Sequence, residues 1–278
     1  MRKIGLVILM IMIIGILIPI GFSASETQVV ITYGETTHHN ANLKNIVDDF
    51  FVEQTGVDLY TIDSKIITAS EVNKIAKSIT GKTYSSNQIY SSALVDLNDN
   101  GDLRVSVDKS KITTITGDMY ISALKSVGIT KGHVYVTSPV TATGESALAG
   151  IMSSYEVVTD VEIPDTVKEV ANKEIYTQAD IVKNSDVDAD KLSDVVDDVK
   201  ETVEENNITD HDTIVEVINN TTEDAGIELA SEDVEKLATS IEEMQEAQED
   251  IDSYQSEVSD VFNDTDNQTL NNVLGMFN

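Results

Sequence analysis

The chain has no cysteine and no tryptophan. The first absence excludes disulfides, a thiol nucleophile, a lipid-modified cysteine anchor and any cysteine-ligated metal. The second, with aromatics at only 5%, leaves the core to be built from Ile, Val, Leu and Ala. Arginine is confined to Arg2 and Arg104 and proline to Pro19, Pro139 and Pro164. Positive charge is scarce and unevenly placed. Residues 1–150 carry 14 acidic and 12 basic side chains, residues 151–278 carry 35 and 6, so -29 of the formal -31 falls in the second half. Such a half repels nucleic acid and anionic lipid and attracts cations or basic surfaces.

The first 25 residues are set apart from the fold. Met1, Arg2 and Lys3 form a positive start, an unbroken apolar run covers residues 4–20, and Gly21, Ser23, Ala24 and Ser25 offer a cleavage site. This is the three-part pattern of an export signal. The alternative is an uncleaved N-terminal anchor, since the uncharged stretch is about long enough to span a bilayer. Either version places the remainder outside the cytoplasm, secreted or attached to the cell envelope.

From Gln28 to Val158 strand-like and helix-like segments alternate. The spacing predicts strands at 28–33, 57–62, 89–97, 103–107 and 134–137. Helices are expected at 43–54, with Leu43, Ile46, Val47, Phe50 and Phe51 on one face, after the Thr68-Ala-Ser-Glu71 capping box, at 119–127, and from Gly144 to about Tyr155. Asn98-Asp99-Asn100-Gly101 predicts a hairpin between the third and fourth strands. This is an α/β or α+β sheet domain over residues 27–158. An acidic all-helical region follows over 159–278, with Pro164 expected at the first position of its first helix. Leu192, Val195, Val196, Val199 and Val203 form one apolar stripe, and Ile214, Val217 and Ile218 another. The last long helix carries Val234, Leu237, Ile241, Met244, Gln248, Ile251, Gln255, Val258 and Phe262 in alternating steps of three and four. Such a seam belongs either to an amphipathic bundle helix or to a self-pairing coiled coil that would make an oligomer, and two seam glutamines favour the bundle.

Few motifs carry chemistry. Asp96, Asn98, Asn100 and Asp102, with Gly101, match the first half of a calcium loop, the one weak cofactor signal. Val107 stands where that loop needs a bidentate Glu, and the flanks read as strands, so a turn is the better reading. His38, His39, His133 and His211 show no zinc-ligand spacing and read as loop residues. The stretch from Thr137 to Gly150 is a strand-to-helix turn. It lacks the Gly-Lys-Ser/Thr ending of a phosphate loop and the second Gly of a Gly-x-Ser-x-Gly elbow, so capping by Thr143 and close packing at Gly150 are expected. Sequons begin at Asn207, Asn219, Asn220, Asn263 and Asn267 and are candidate glycosylation acceptors in an exported chain.

Several short patterns fall in one order. They are Ser91-Ser-Ala-Leu-Val-Asp-Leu97, Leu103-Arg-Val-Ser-Val107, Ile112-Thr-Thr-Ile-Thr116 and Met119-Tyr-Ile-Ser-Ala-Leu124, then Gly128-Ile129 and His133-Val-Tyr-Val-Thr-Ser-Pro-Val140, then Thr143-Gly-Glu-Ser-Ala-Leu-Ala-Gly-Ile151 and Glu169-Val-Ala-Asn-Lys-Glu174. In this order residues 27 to about 255 resemble the YpuA-like family of exported proteins, a domain of unknown function. The resemblance implies export and an α/β-plus-helical build, and it carries no catalytic residues across. The leading expectation is a non-enzymatic envelope or extracellular binding or structural module, meeting cations, a basic protein or an envelope polymer, and touching membrane only through an uncleaved N-terminus. Two rivals stand beside it. One is a hydrolase of envelope polymers, which needs two carboxylates in a cleft with one held protonated. The other is a calcium-stabilised module.

Overall fold

The computed structural model describes residues 28–98 and 101–275; the N-terminal segment read as an export signal or anchor lies outside them. Among the described residues no helix is long and apolar enough to cross a membrane. The N-terminal part is a mixed five-stranded sheet made of β1 (Val29–Gly34), β2 (Asp63–Ile67), β3 (Ser92–Asp96), β4 (Arg104–Val107) and β5 (His133–Thr137), in the order β2-β1-β3-β5-β4. The central pairs β1–β3 and β3–β5 are antiparallel, and the outer pairs β1–β2 and β5–β4 are parallel.

Alternation along the strands sorts the two faces. Val29, Ile31 and Tyr33 of β1 and Leu94 of β3 pack against Val47 and Phe51 of α2 (Ala41–Thr55), which follows the short α1 (Glu35–His38). Ala93, Val95, Val134 and Val136 face the other way, onto α4 (Gly117–Ser126) and α5 (Glu145–Thr159). α3 (Ala69–Thr80) begins with the expected capping box, the Thr68 hydroxyl accepting from Glu71 N–H while the Glu71 carboxylate accepts from Thr68 N–H, and ends at Gly81 in the left-handed region. Gly150 of α5 lies so close to β1 that a Cβ there would stand 2.6 Å from Thr32 Oγ1.

The acidic half is helical throughout its described length: α6 (Asp165–Asn184), α7 (Ala189–Glu205), α8 (His211–Ala225), α9 (Ser231–Glu246) and α10 (Gln248–Gly275). α6 lies on α3, α4 and α5 and carries α9 on its other side, while α7 packs on α4 and α8. One apolar cluster therefore runs without a break from Ala93 and Val134 in the sheet, through Leu148 and Ile151, to Leu192, Ile218 and Leu237 in the helices. The helices fold back on the sheet.

Four expectations need correction. Residues 57–62 form a turn, with Asp58 accepting from the amides of Tyr60 and Thr61, and their apolar side chains Val57, Leu59 and Ile62 lean on the α2 cluster; the strand begins at Asp63 and is polar because it is an edge. The segments on either side of Asn98 are not a hairpin, because β5 lies between them; residues 101–104 instead cross its start, with Leu103 N–H donating to Thr130 O and Arg104 N–H to Gly132 O. The long heptad helix is broken at Ala247, and the inward side chains Val234, Leu237, Ile241, Ile251 and Val258 are buried in this chain's own core while Gln248 is exposed. Pro164 sits one residue earlier than expected, at the N-cap of α6.

Candidate functional site

Four lysines line one cleft. A cleft of about 700 Å³ opens where the sheet half meets the helical half, and Lys82, Lys173, Lys183 and Lys236 line it. Three of the six basic residues of the acidic half are in that wall. Lys82 follows the C-cap of α3, Lys173 and Lys183 lie on α6, and Lys236 comes from α9. Glu145, Asp180, Glu232 and Glu235 are also in the lining, so the walls carry four charges of each sign within a strongly negative half.

The lysines differ in how they are held. Lys236 reaches Asp180 at 3.0 Å, Glu232 at 3.2 Å and Asp233 at 3.3 Å, and the Asp180 bond foremost keeps its ammonium charged well above the ordinary range. Asp180 is held below the usual carboxylate range, first by its hydrogen bond from Lys236. Lys173 pairs with Glu243 of α9. Lys183, in the last turn of α6, makes no ion pair among the described residues.

Tyr84 and Tyr176, hydrogen-bonded to each other, also line the cleft. Tyr84 is fixed by its backbone. The Asn73 side chain donates to Tyr84 O at 2.7 Å and accepts from Tyr84 N–H at 2.6 Å. Burial, then the neighbouring negative charge of Glu145, keeps the Tyr84 phenol protonated; burial does the same for Tyr176 and Tyr120, with Glu145 again adding to it. Three tyrosines thus lie within the field of the Glu145 carboxylate. Glu145 is set by the turn before α5, where Gly144 takes φ 113° and its carbonyl accepts from Tyr120 Oη at 2.6 Å. No side chain there has room, since a Cβ on Gly144 would stand 2.8 Å from Ile112 Cγ2 and 2.9 Å from Tyr120 Oη. The expected capping by Thr143 does not occur, because its hydroxyl turns to the Glu145 carboxylate instead. A second hollow of about 240 Å³ continues past Tyr84 and Glu145 along Gln88, Tyr90, Ser91, Thr141, Thr143 and Ser146.

Behind the cleft, three helices share a buried charge network. Glu174 of α6, with 3% of its side chain exposed, accepts from Ser122 and Ser126 of α4 and from Gln178. Lys200 of α7 donates to Glu174 at 3.0 Å and to the two serine hydroxyls at 2.6 and 2.8 Å, and pairs with Asp197 at 2.9 Å. Burial alone would lower the Lys200 pKa; Glu174 and Asp197 outweigh it, so the ammonium stays charged. Lys200 ties Ser122 and Ser126 of α4 to Glu174 of α6, and the network is a clasp between the halves.

The residues singled out in the sequence stay apart. Asp96 Oδ1 accepts from Asn98 N–H at 2.9 Å, a local turn, and Asp102 bridges to Lys131; Asn100 lies outside the described residues. No group of three or more His, Asp or Glu among the described residues is arranged to hold a metal. The hollow between α7 and α8, lined by Asp198, Glu201, Glu205 and Asp224, is an acidic surface without that arrangement. Asn207, in the turn after α7 with φ 51°, and Asn219 and Asn220 on α8 are exposed, while the side chains of Asn263 and Asn267 fall outside the described ones.

Two of the histidines read as loop residues, His133 and His211, instead sit in regular elements and are hydrogen-bonded. His133 in β5 bonds Ser106 of β4 at 2.8 Å through Nε2 and Tyr135 at 3.0 Å through Nδ1, a polar tie between the edge strand and its neighbour. His211 opens α8 and bridges Glu235 and Glu242 of α9. The cleft was not anticipated, because its lysines are spread over three elements with no motif. One local signal existed. Gly81-Lys82-Thr83 spells the close of a phosphate loop, but here it ends a helix instead of opening one, with Gly81 as C-cap.

The comparisons place this architecture in a family of undetermined activity. The family described as protein of unknown function (DUF1002) matches residues 33–261, and the chain belongs to it. The uncharacterized protein YpuA of Bacillus subtilis (strain 168) is 27% identical over 205 residues, covering 72% of this chain and 69% of its own. No solved structure matches the chain.

Proposed function

We propose that this chain is an exported, non-enzymatic binding module of the cell envelope or extracellular space, and that it holds its ligand in the cleft between α3, α5, α6 and α9. One observation supports this most. In a half carrying -29, three of the six basic side chains line one large concavity, beside tyrosines fixed by Asn73 and by burial. Concave sites with a few oriented polar groups are where small molecules and polymer segments bind. Asp180 is held ionised by Lys236, so it does not supply the protonated acid that a hydrolase needs beside its base.

The test is direct. The chain from Glu26 onward is incubated with purified cell-envelope polymer, and sedimentation with the polymer is measured. Binding should occur, and Tyr84→Ala should reduce it while circular dichroism shows the variant still folded at the assay temperature. A protein that never co-sediments, or a Tyr84→Ala variant that binds as wild type, removes the reading.

A further inference from the structure

The two hollows share Tyr84 and Glu145, so they form one track with chemically distinct ends. The smaller end offers hydroxyls and an amide: Gln88, Tyr90, Ser91, Thr141 and Ser146. The larger end offers Lys183 on a wall whose other charges are largely paired. At the waist stand Tyr84 and one carboxylate. An extended ligand lying along this track meets hydroxyl and amide partners over one stretch, an aromatic side chain at the middle, and a cation in the larger hollow. Its own groups must be complementary: many hydroxyls, stackable ring faces and an anionic substituent.

The field of the whole chain sets a second condition. A formal charge of -31 repels a ligand with dense negative charge, whatever the local lysines offer. The anionic groups must be sparse. We infer, on the basis of the binding function proposed above, that the track takes a glycan chain carrying isolated carboxylates, with sugar rings over Tyr84 and a carboxylate at Lys183. A peptide ligand is disfavoured by the trough, which is lined by hydroxyls rather than by an apolar groove or a free strand edge.

Three hexasaccharides separate the alternatives by isothermal titration calorimetry of the chain from Glu26 onward at low salt. Chitohexaose is neutral, a hyaluronan hexasaccharide carries a carboxylate on alternate sugars, and a heparin hexasaccharide is densely anionic. The hyaluronan oligomer should bind about tenfold more tightly than chitohexaose. The heparin oligomer should bind weakest of the three. Lys183→Glu should erase the preference for hyaluronan over chitohexaose while leaving chitohexaose unchanged, and Tyr84→Ala should weaken both. Equal binding of the neutral and alternating oligomers, tighter binding of heparin, or no binding of any of them overturns the ligand class. If envelope polymer still co-sediments through Tyr84 in that case, the binding function stands and only the ligand class fails. A failed co-sedimentation removes both.

Discussion

Lys200→Met should be among the most damaging single changes in the helical half. The substitution keeps the aliphatic stem and removes the ammonium from a site where it touches Glu174, Asp197, Ser122 and Ser126. Glu174 is then a buried carboxylate without its cation. Breaking a buried pair from one side costs about 3–5 kcal/mol. For a chain of this size that is a fall in melting temperature of roughly 10 °C. Urea unfolding followed by circular dichroism would measure it. Glu174→Gln should cost less, because Lys200 keeps Asp197. The double variant should cost less than the sum of the two, with a coupling of at least about 1 kcal/mol. Mild acid should restore part of the Lys200→Met loss, since protonating the stranded carboxyl removes the buried charge. A loss under about 1 kcal/mol, or one that does not change with pH, would refute the account of a charged clasp.

Three further outcomes are expected. His211, held charged by hydrogen bonds to Glu235 and Glu242, has a raised folded-state pKa, so its contribution is complete below about pH 6.5 and disappears as pH rises through the folded value. Wild type should therefore exceed His211→Gln in stability at pH 6 by under about 1 kcal/mol, the pair being partly exposed, and the two should converge in mild alkali. Gly150→Ala should lose about 1–2 kcal/mol in spite of the better helix former, because the new methyl meets Thr32 Oγ1, and Thr32→Ala in the same chain should recover most of it by removing that atom. Calcium and magnesium should raise the melting temperature alike by screening the acidic half, and moderate salt should abolish both effects; a saturating rise with calcium alone would instead mark a site in the 96–102 loop.

Features set by neighbours in the chain were legible in the sequence. The capping box from Thr68 to Glu71 depends on four consecutive residues, and the α7 stripe from Leu192 to Val203 on one helical period. The third and fourth strands were found, but their pairing was not. A turn-like Asn-Gly segment makes a hairpin the local choice, and only the later arrival of β5 decides otherwise. The polar edge strand from Asp63 was hidden by the more apolar residues just before it, which pack as a turn. At the cleft, Glu145 and Glu174 both lie in the segments that carried the family resemblance. Their neighbours Tyr84 and Lys200 come from distant elements, and no periodicity ties such residues together.

The strand order also dictates when the sheet can close. β4 pairs with β5 alone, yet it leaves the ribosome well before it, and β5 must slip between β3 and β4 to complete both ladders. Until Thr137 has emerged, β3 and β4 each have an edge without its partner. Until Lys200 has emerged, Glu174 has no cation in its burial site. A chain delivered from its N-terminus therefore cannot finish its first half early: the sheet closes only with β5, and the clasp only with α7.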